Sequence, residues 1–295
     1  MAAQKLDTNY YLKKLDELPS LPSIVYELSR IINDPMSSTK EVEDVMATDI
    51  GMTAKVLKLA NSAYYAIPGG VTSLSRAIAF IGFDTIHQLV LSSSIIDALK
   101  TDGIPSFNIN EFWKHSVAVA IGAETIGKHT GHPSPGDMFT SGLVHDMGKI
   151  ALFMCHPEML TQILKYVEEN KTSFLEAEKL VADIDHNEIG GLLADKWKLP
   201  KAICSAAKFH HEINPALRSG LSPELNMNVD IVLLSNLLIH ALKFGHSGHT
   251  KILGAPTELL ARLQINAGDM GTVIKTIKAN LEKASDFIRM IGGEK

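Results

Sequence analysis

The chain has 295 residues, 45% apolar and 21% charged, enough for a sizeable core and too apolar for wholesale disorder. Its formal net charge is −5 with both signs interspersed, and no basic block or Lys/Arg stripe gives a nucleic-acid partner electrostatic support. Cys155 and Cys204 fall in apolar-periodic segments, as buried thiols of a reducing compartment do. The sequence shows no secretory signal and no apolar run of about 18 residues, so the expectation is a cytoplasmic protein with no membrane partner.

Aromatic residues make up only 6% and strand-type alternation is scarce. Apolar residues recur at three- and four-residue spacing, which predicts an all-α fold. A polar lead-in helix occupies 1–17. The prolines of Leu18-Pro19-Ser20-Leu21-Pro22-Ser23 favour an extended entry, and Ser20 or Ser23 can cap a helix through Ile24, Val25, Leu28, Ile31 and Ile32. Asn33-Asp34-Pro35 ends it. Ser38 or Thr39 caps a helix through Val42, Val45 and Met46, and Asp49 caps one through Met52, Val56, Leu57 and Leu59. Asn61-Ser62-Ala63-Tyr64-Tyr65 closes that helix before a turn at Pro68-Gly69-Gly70. Ser73 starts the next helix, Gly82-Phe83-Asp84 breaks it, and another runs from about Thr85 to Leu99. The polar loop 101–110 then separates an N-terminal bundle, 1–105, from a second half, 106–295.

The second half opens with Glu111-Phe112-Trp113-Lys114-His115, whose Glu and His share a helix face. A Gly- and Pro-rich break at 131–136 precedes a helix bearing His145-Asp146 inside the apolar run Gly142–Ile150. A charged helix follows from about Pro157 to Asn170. Ser173 and Glu176 fit a capping box leading toward His186. After Leu199-Pro200 a helix ends in His210-His211-Glu212. A polar loop, 213–228, gives way to an apolar helix from Ile231 to Leu242, and the tail from 250 reads as two helices.

Leu18-Pro19-Ser20-Leu21-Pro22, the stretch from Asp49 to Tyr65, and Ala77-Ile78-Ala79-Phe80-Ile81-Gly82-Phe83 together resemble the HDOD domain family. This is a bacterial signalling output domain related to the HD-type metal phosphohydrolases. The resemblance covers roughly residues 18–212. It implies a multi-helix HD-domain-like fold with an N-terminal helical bundle. It also implies a site. Five of the 12 histidines, His115, His145, His186, His210 and His211, stand where the related HD-GYP phosphodiesterases place metal ligands. Asp146 matches their bridging carboxylate, and Glu111 matches an additional carboxylate of some members. Lys149 matches the lysine of the His-Asp-x-Gly-Lys motif, a point charge for a substrate phosphate, which makes Asp146 and Lys149 the catalytic candidates. The departures are Asn236, which stands for the distal aspartate, and Ile213-Asn214-Pro215-Ala216, which replaces a Gly-Tyr-Pro signature. Asp230, six residues before Asn236, lies on a different helix face.

Imidazole and carboxylate ligands suit iron, manganese, nickel or zinc better than magnesium or calcium. Iron is placed first, as the redox-active choice for a sensor. Five histidines and one aspartate exceed the needs of one tetrahedral ion, so a divalent transition metal is expected, with ligands enough for a second ion and with Asn236 and Glu111 at the edge of the site. Two functions follow. The first is a signalling and interaction module with weak or absent hydrolysis, partnered by signalling proteins and open to a nucleotide or cyclic dinucleotide ligand. The second is a metal-dependent phosphohydrolase. Asn236 and the missing Gly-Tyr-Pro favour the first; the six matched ligands and Lys149 favour the second. His87, His129, His132, His156, His240, His246 and His249 are assigned no function. Exposed apolar residues near Asn61–Tyr65 and Pro68–Val71 are expected to form a partner surface.

Overall fold

The computed structural model describes residues 8–32, 34, 36–101, 103, 107–182 and 184–292. They form sixteen α-helices, and no strand occurs among them. The first five are α1 (Thr8–Asp16), α2 (Ser23–Ile32), α3 (Thr39–Met46), α4 (Ile50–Ala60) and α5 (Leu74–Ala98). Then come α6 (Ile109–His129), α7 (Pro135–Val144), α8 (Met147–Cys155), α9 (Pro157–Asn170), α10 (Phe174–Val181), α11 (His186–Lys196) and α12 (Lys201–Phe209). The last four are α13 (Pro223–Leu242), α14 (Thr257–Arg262), α15 (Ala267–Lys283) and α16 (Ser285–Gly292).

The helix starts follow from local chemistry. Ser38 with Glu41, and Ser173 with Glu176, close reciprocal capping boxes on α3 and α10. Asp49 accepts from the Met52 amide and Ser73 from that of Arg76. Gly82 interrupts α5 with φ 81° and ψ 165°, a backbone state a residue with a Cβ avoids, so the break at 82–84 is a kink inside one long helix. The helix end expected at Asn33 and Pro35, and Pro105 of the 101–110 loop, lie outside the described residues.

Helix α6 is buried along most of its length and packs against α7, α13, α15 and α16. Helix α11 packs against both α8 and α12, while α5 lies on α7, α2 and α4. The N-terminal segment reaches the second half through Trp197, whose indole donates to the Pro19 carbonyl at 3.0 Å. Tyr26 in turn donates to the Trp197 carbonyl at 3.2 Å.

Three expectations need correction, and the absence of a spanning apolar run stands with one detail added. α13 begins at Pro223, eight residues before Ile231, because Ser222 caps the Leu225 amide at 3.2 Å and Pro223 suits the first helical position. The tail holds three helices rather than two. α5 and α13 both reach membrane-spanning length and hydropathy, but 56% and 61% of their apolar windows lie buried inside the chain. Tyr64 and Tyr65 form no exposed apolar surface. They are half-buried, with ring centroids 5.8 and 6.1 Å from that of Phe287, and the Tyr64 hydroxyl donates to Glu124. Asn61 serves the turn itself, accepting from the Val71 amide at 2.6 Å and donating to the Val71 carbonyl at 2.7 Å.

Candidate metal centre

His145 and Asp146 do not sit within one helix as expected; they form the junction between α7 and α8. The junction is set by Gly148. A Cβ there would lie 2.7 Å from the Gly190 nitrogen and 2.8 Å from the His186 carbonyl carbon, so only glycine lets α8 meet the start of α11. That approach delivers His145, Asp146 and His186 to one point. α6 contributes His115 and the end of α12 contributes His210. These five side chains are at most 1% exposed.

Asp146 is the hub. Its Oδ1 lies 3.2 Å from His186 Nε2 and 3.3 Å from His210 Nε2, and its Oδ2 lies 3.4 Å from His145 Nε2. The far nitrogens decide what these contacts are. His145 Nδ1 donates to the Gly142 carbonyl at 2.7 Å. His210 Nδ1 donates to the carbonyls of Ala206 and Ala207 at 3.1 and 3.2 Å. A neutral imidazole donating through Nδ1 presents a lone pair at Nε2. Two such lone pairs therefore face a carboxylate across 3.3–3.4 Å, and both His145 Nε2 and Asp146 Oδ1 lack a hydrogen-bond partner. A cation satisfies all of these atoms together, so the residues present fit a metal ion.

The donor atoms fall into two groups that share Asp146. One holds Asp146, His186, His210 and His211; the other holds His115, His145 and Asp146, with donor atoms within 4.8 Å of one another in each. Asn236 lies at the edge, its Oδ1 3.0 Å from His115 Nε2. Glu111 joins neither group: its carboxylate pairs with Lys114 at 3.2 Å near the surface. Lys149 is present but turned to another task. Its buried Nζ donates to Asp146 Oδ2 at 2.7 Å and to the Ser247 carbonyl at 3.0 Å, above the Phe174 ring. It neutralises Asp146 from within rather than offering a charge to a phosphate.

Electrostatics follow from burial and these contacts. Burial pushes His115 down to about 3 and His210 to about 4, so both rings stay neutral. Burial alone would raise Asp146, but the Lys149 ammonium beside it holds the carboxyl well below its usual range. His186 moves the other way, up to about 9: burial lowers it, but the Glu178 and Asp146 carboxylates together outweigh burial.

Sequence reasoning missed four contributors. Glu178, fully buried on α10, accepts from His186 Nδ1 at 2.5 Å and from the His186 amide at 3.0 Å, which fixes the ring. The His240 ring lies 4.6 Å from that of His115, and His249 stacks on His240 at 4.5 Å with 25° between planes. Ser247 supplies the carbonyl that receives Lys149. Asp230 lies apart from the cluster, clamped between Arg218 at 2.6 Å and Arg262 at 2.6 Å. A cavity of about 230 Å³ opens over His210, His211, Asn236, His240 and His249. A larger one, about 640 Å³, lies between α6, α13, α15 and α16 and touches none of the clustered residues.

The HDOD domain family pattern matches residues 18–213. The chain belongs to the HDOD family. An HDOD domain protein of unknown function from Geobacter sulfurreducens, known from its crystal structure, is 27% identical, with a TM-score of 0.75 over 98% of this chain and 99% of that one. A Shewanella amazonensis protein provisionally named a phosphohydrolase shares the fold, with 23% identity and a TM-score of 0.72 over 96% of this chain and 97% of that one. An uncharacterized protein of Treponema pallidum is 24% identical over 271 residues, 91% of this chain but 50% of the relative. This HDOD chain thus spans about half the length of that relative. Asn236, His240, Ser247 and His249 all lie beyond the matched residues.

Proposed function

We propose that this HDOD chain is a signalling module that holds divalent transition-metal ions, iron first, and hydrolyses phosphoesters weakly or not at all. The observation that carries the reading is the double use of Asp146. Its Oδ1 faces His186 and His210 without a hydrogen-bond partner, while its Oδ2 is held by the Lys149 ammonium at 2.7 Å. Asp146 with His186, His210 and His211 would hold one ion, and Asp146 with His115 and His145 a second. When bound, such ions supply Lewis-acid polarisation and, for iron, a change of oxidation state.

The chain's own residues argue against efficient phosphoryl chemistry. Lys149 cancels the charge of Asp146 and is sealed from the cavity side. Asn236 places a neutral amide where a carboxylate would strengthen an ion's hold and withdraw a proton from water. Glu178 spends its acceptors on His186. What remains is a rigid, closed ligand set suited to reporting metal state to a signalling partner. A phosphohydrolase is the second reading, favoured by the gathering of five histidines around one aspartate and by the name of the Shewanella relative.

Elemental analysis of protein purified without chelator tests the metal, with Asp146→Ala as the variant that should lose it. Hydrolysis of bis(p-nitrophenyl) phosphate and of a cyclic dinucleotide tests the rest. Turnover well below about 1 per second is expected, since ordinary enzymes reach that rate or more. Metal-free wild-type protein would end the metal reading, and turnover at enzyme rates with a filled site would end the non-catalytic one. Asn236→Asp should raise any residual turnover.

A further inference from the structure

The cavity over the cluster has a chemical character of its own. Its outer wall is aliphatic, built from Leu175, Ile213, Leu233, Leu237 and Leu253. Ile213 and Leu253 are 43% and 50% exposed, so the mouth itself is apolar. Its volume is about 230 Å³. That is below the roughly 300–1,000 Å³ of sites that enclose drug-sized ligands. A cyclic dinucleotide does not fit inside it.

Charge points the same way. Lys251 is the one cation among the described lining residues, and its Nζ lies 3.0 and 2.8 Å from the two oxygens of Glu176, which also lines the cavity. Lys208 and Lys179 open onto a neighbouring pocket, and Arg218 and Arg262 are held by Asp230. The side chains themselves therefore offer a phosphoester no free charge-assisted donor, and only the ions would attract it. Apart from the Lys251–Glu176 ion pair and Ser173, the polar side of the cavity consists of imidazoles and one amide. His249, 8% exposed, lines it, and the buried Nδ1 of that ring has no hydrogen-bond partner. A buried polar atom left unpaired costs about 1–3 kcal/mol, and a ligand's polar head can remove that cost.

We infer that the cavity over the His/Asp cluster binds a small uncharged molecule with an apolar body and a single hydrogen-bonding head, and prefers it to phosphoesters. The inference rests on reading the cluster as the chain's working site. The aliphatic wall receives the body, and His249 with Asn236 receives the head. Such a ligand would sit directly on the imidazoles that hold the ions, which couples ligand occupancy to the metal centre.

Four probes of similar size separate the possibilities: phenol, butan-1-ol, benzoate and phenyl phosphate. Each is titrated by ligand-observed NMR into the full chain, once with chelator and once metal-loaded, with metal content measured separately. At least one neutral probe should bind at least about tenfold more tightly than either anion. Leu253→Asp, a half-exposed position at the mouth, should weaken neutral binding without disturbing the core. Glu176→Gln should raise phenyl phosphate affinity by freeing Lys251, and glutamine keeps the capping box. Anions binding as tightly as the neutral probes would overturn the inference, as would failure of both neutral probes to saturate or binding unchanged by Leu253→Asp. The separate metal measurement distinguishes such a failure from loss of the metal reading: a metal-filled site that prefers phenyl phosphate sinks only the ligand class.

Discussion

Gly148→Ala should cost the chain both stability and metal. The new Cβ would lie 2.7 Å from the Gly190 nitrogen and 2.8 Å from the His186 carbonyl carbon, and closer still to the His186 carbonyl oxygen. These are backbone atoms, so no side chain can swing aside. Relieving the carbonyl-oxygen contact as well requires α8 and α11 to part by more than about 1 Å. Overpacking of this kind costs about 1–3 kcal/mol, and a rigid backbone on both sides places the expectation at the upper end. With an unfolding entropy of about 2.1 cal/mol/K per residue, 3 kcal/mol lowers the midpoint of a chain this long by about 5 °C. The same displacement separates Asp146 from His186, now 3.2 Å apart, two atoms that must share an ion. Metal affinity should therefore fall by about tenfold or more. Thermal unfolding by circular dichroism and competition against a chelating dye measure the two effects. Gly271→Ala is the matched control: its Cβ meets nothing within 4 Å on an exposed position of α15. It should gain about 0.5–1 kcal/mol. A Gly148→Ala protein with an unchanged midpoint and full metal would refute the claim that backbone approach at this glycine builds the site.

Glu178→Gln removes the charged acceptor that orients His186 and should lower metal affinity by about 10–100-fold, read by the same dye competition. Asp230→Ala strands the fully buried Arg218 and should cost about 3–5 kcal/mol, roughly 5–8 °C in the midpoint, with little effect on metal content. In chelated protein, the neutral state of His115 and His210, depressed to about 3 and 4, makes stability fall as pH drops below 6.5. The unfolded chain binds protons there that the native chain refuses, a slope of up to about 1.4 kcal/mol per pH unit per histidine. His186 has the opposite sign: raised to about 9, it adds stability that is complete below pH 6.5 and lost as pH rises through 9. Melting midpoints that climb between pH 6.5 and 4.5 would contradict the first assignment.

The helices were legible where local chemistry sets them. The Ser38 cap, the Ser173–Glu176 box and the span of α9 from Pro157 to Asn170 needed only neighbours within one turn. The ordered series from His115 to His211 was likewise readable, because each residue carries its chemistry in its type. What stayed hidden depends on long-range packing. The junction at His145-Asp146 breaks a run of continuous apolar periodicity, and only the approach of α11 shows why. Glu178 left a faint trace, a carboxylate four residues after Phe174 on the buried face of its helix. His240 had a similar one, four residues after Asn236 on α13, whereas His249 stands in a loop with no periodic signal. Lys149 has the charge a phosphate needs but faces Asp146, and direction is not written in residue type.

The loop after α13 changes what counts as the smallest workable piece of this protein. Gly245 packs against the His115 backbone, the His246 amide donates to the Glu111 carbonyl at 2.9 Å, and Ser247 receives Lys149. All of this lies past residue 213, where the family pattern stops. A fragment cut at that border would keep every histidine of the two donor groups and yet remove the roof above them. Water would then reach Lys149 and Asp146, and the rings of His115 and His210 would lose the burial that keeps them neutral. Metal content measured on such a fragment would describe a different coordination environment, so the working unit has to be defined by the closing loop and not by the border of the sequence pattern.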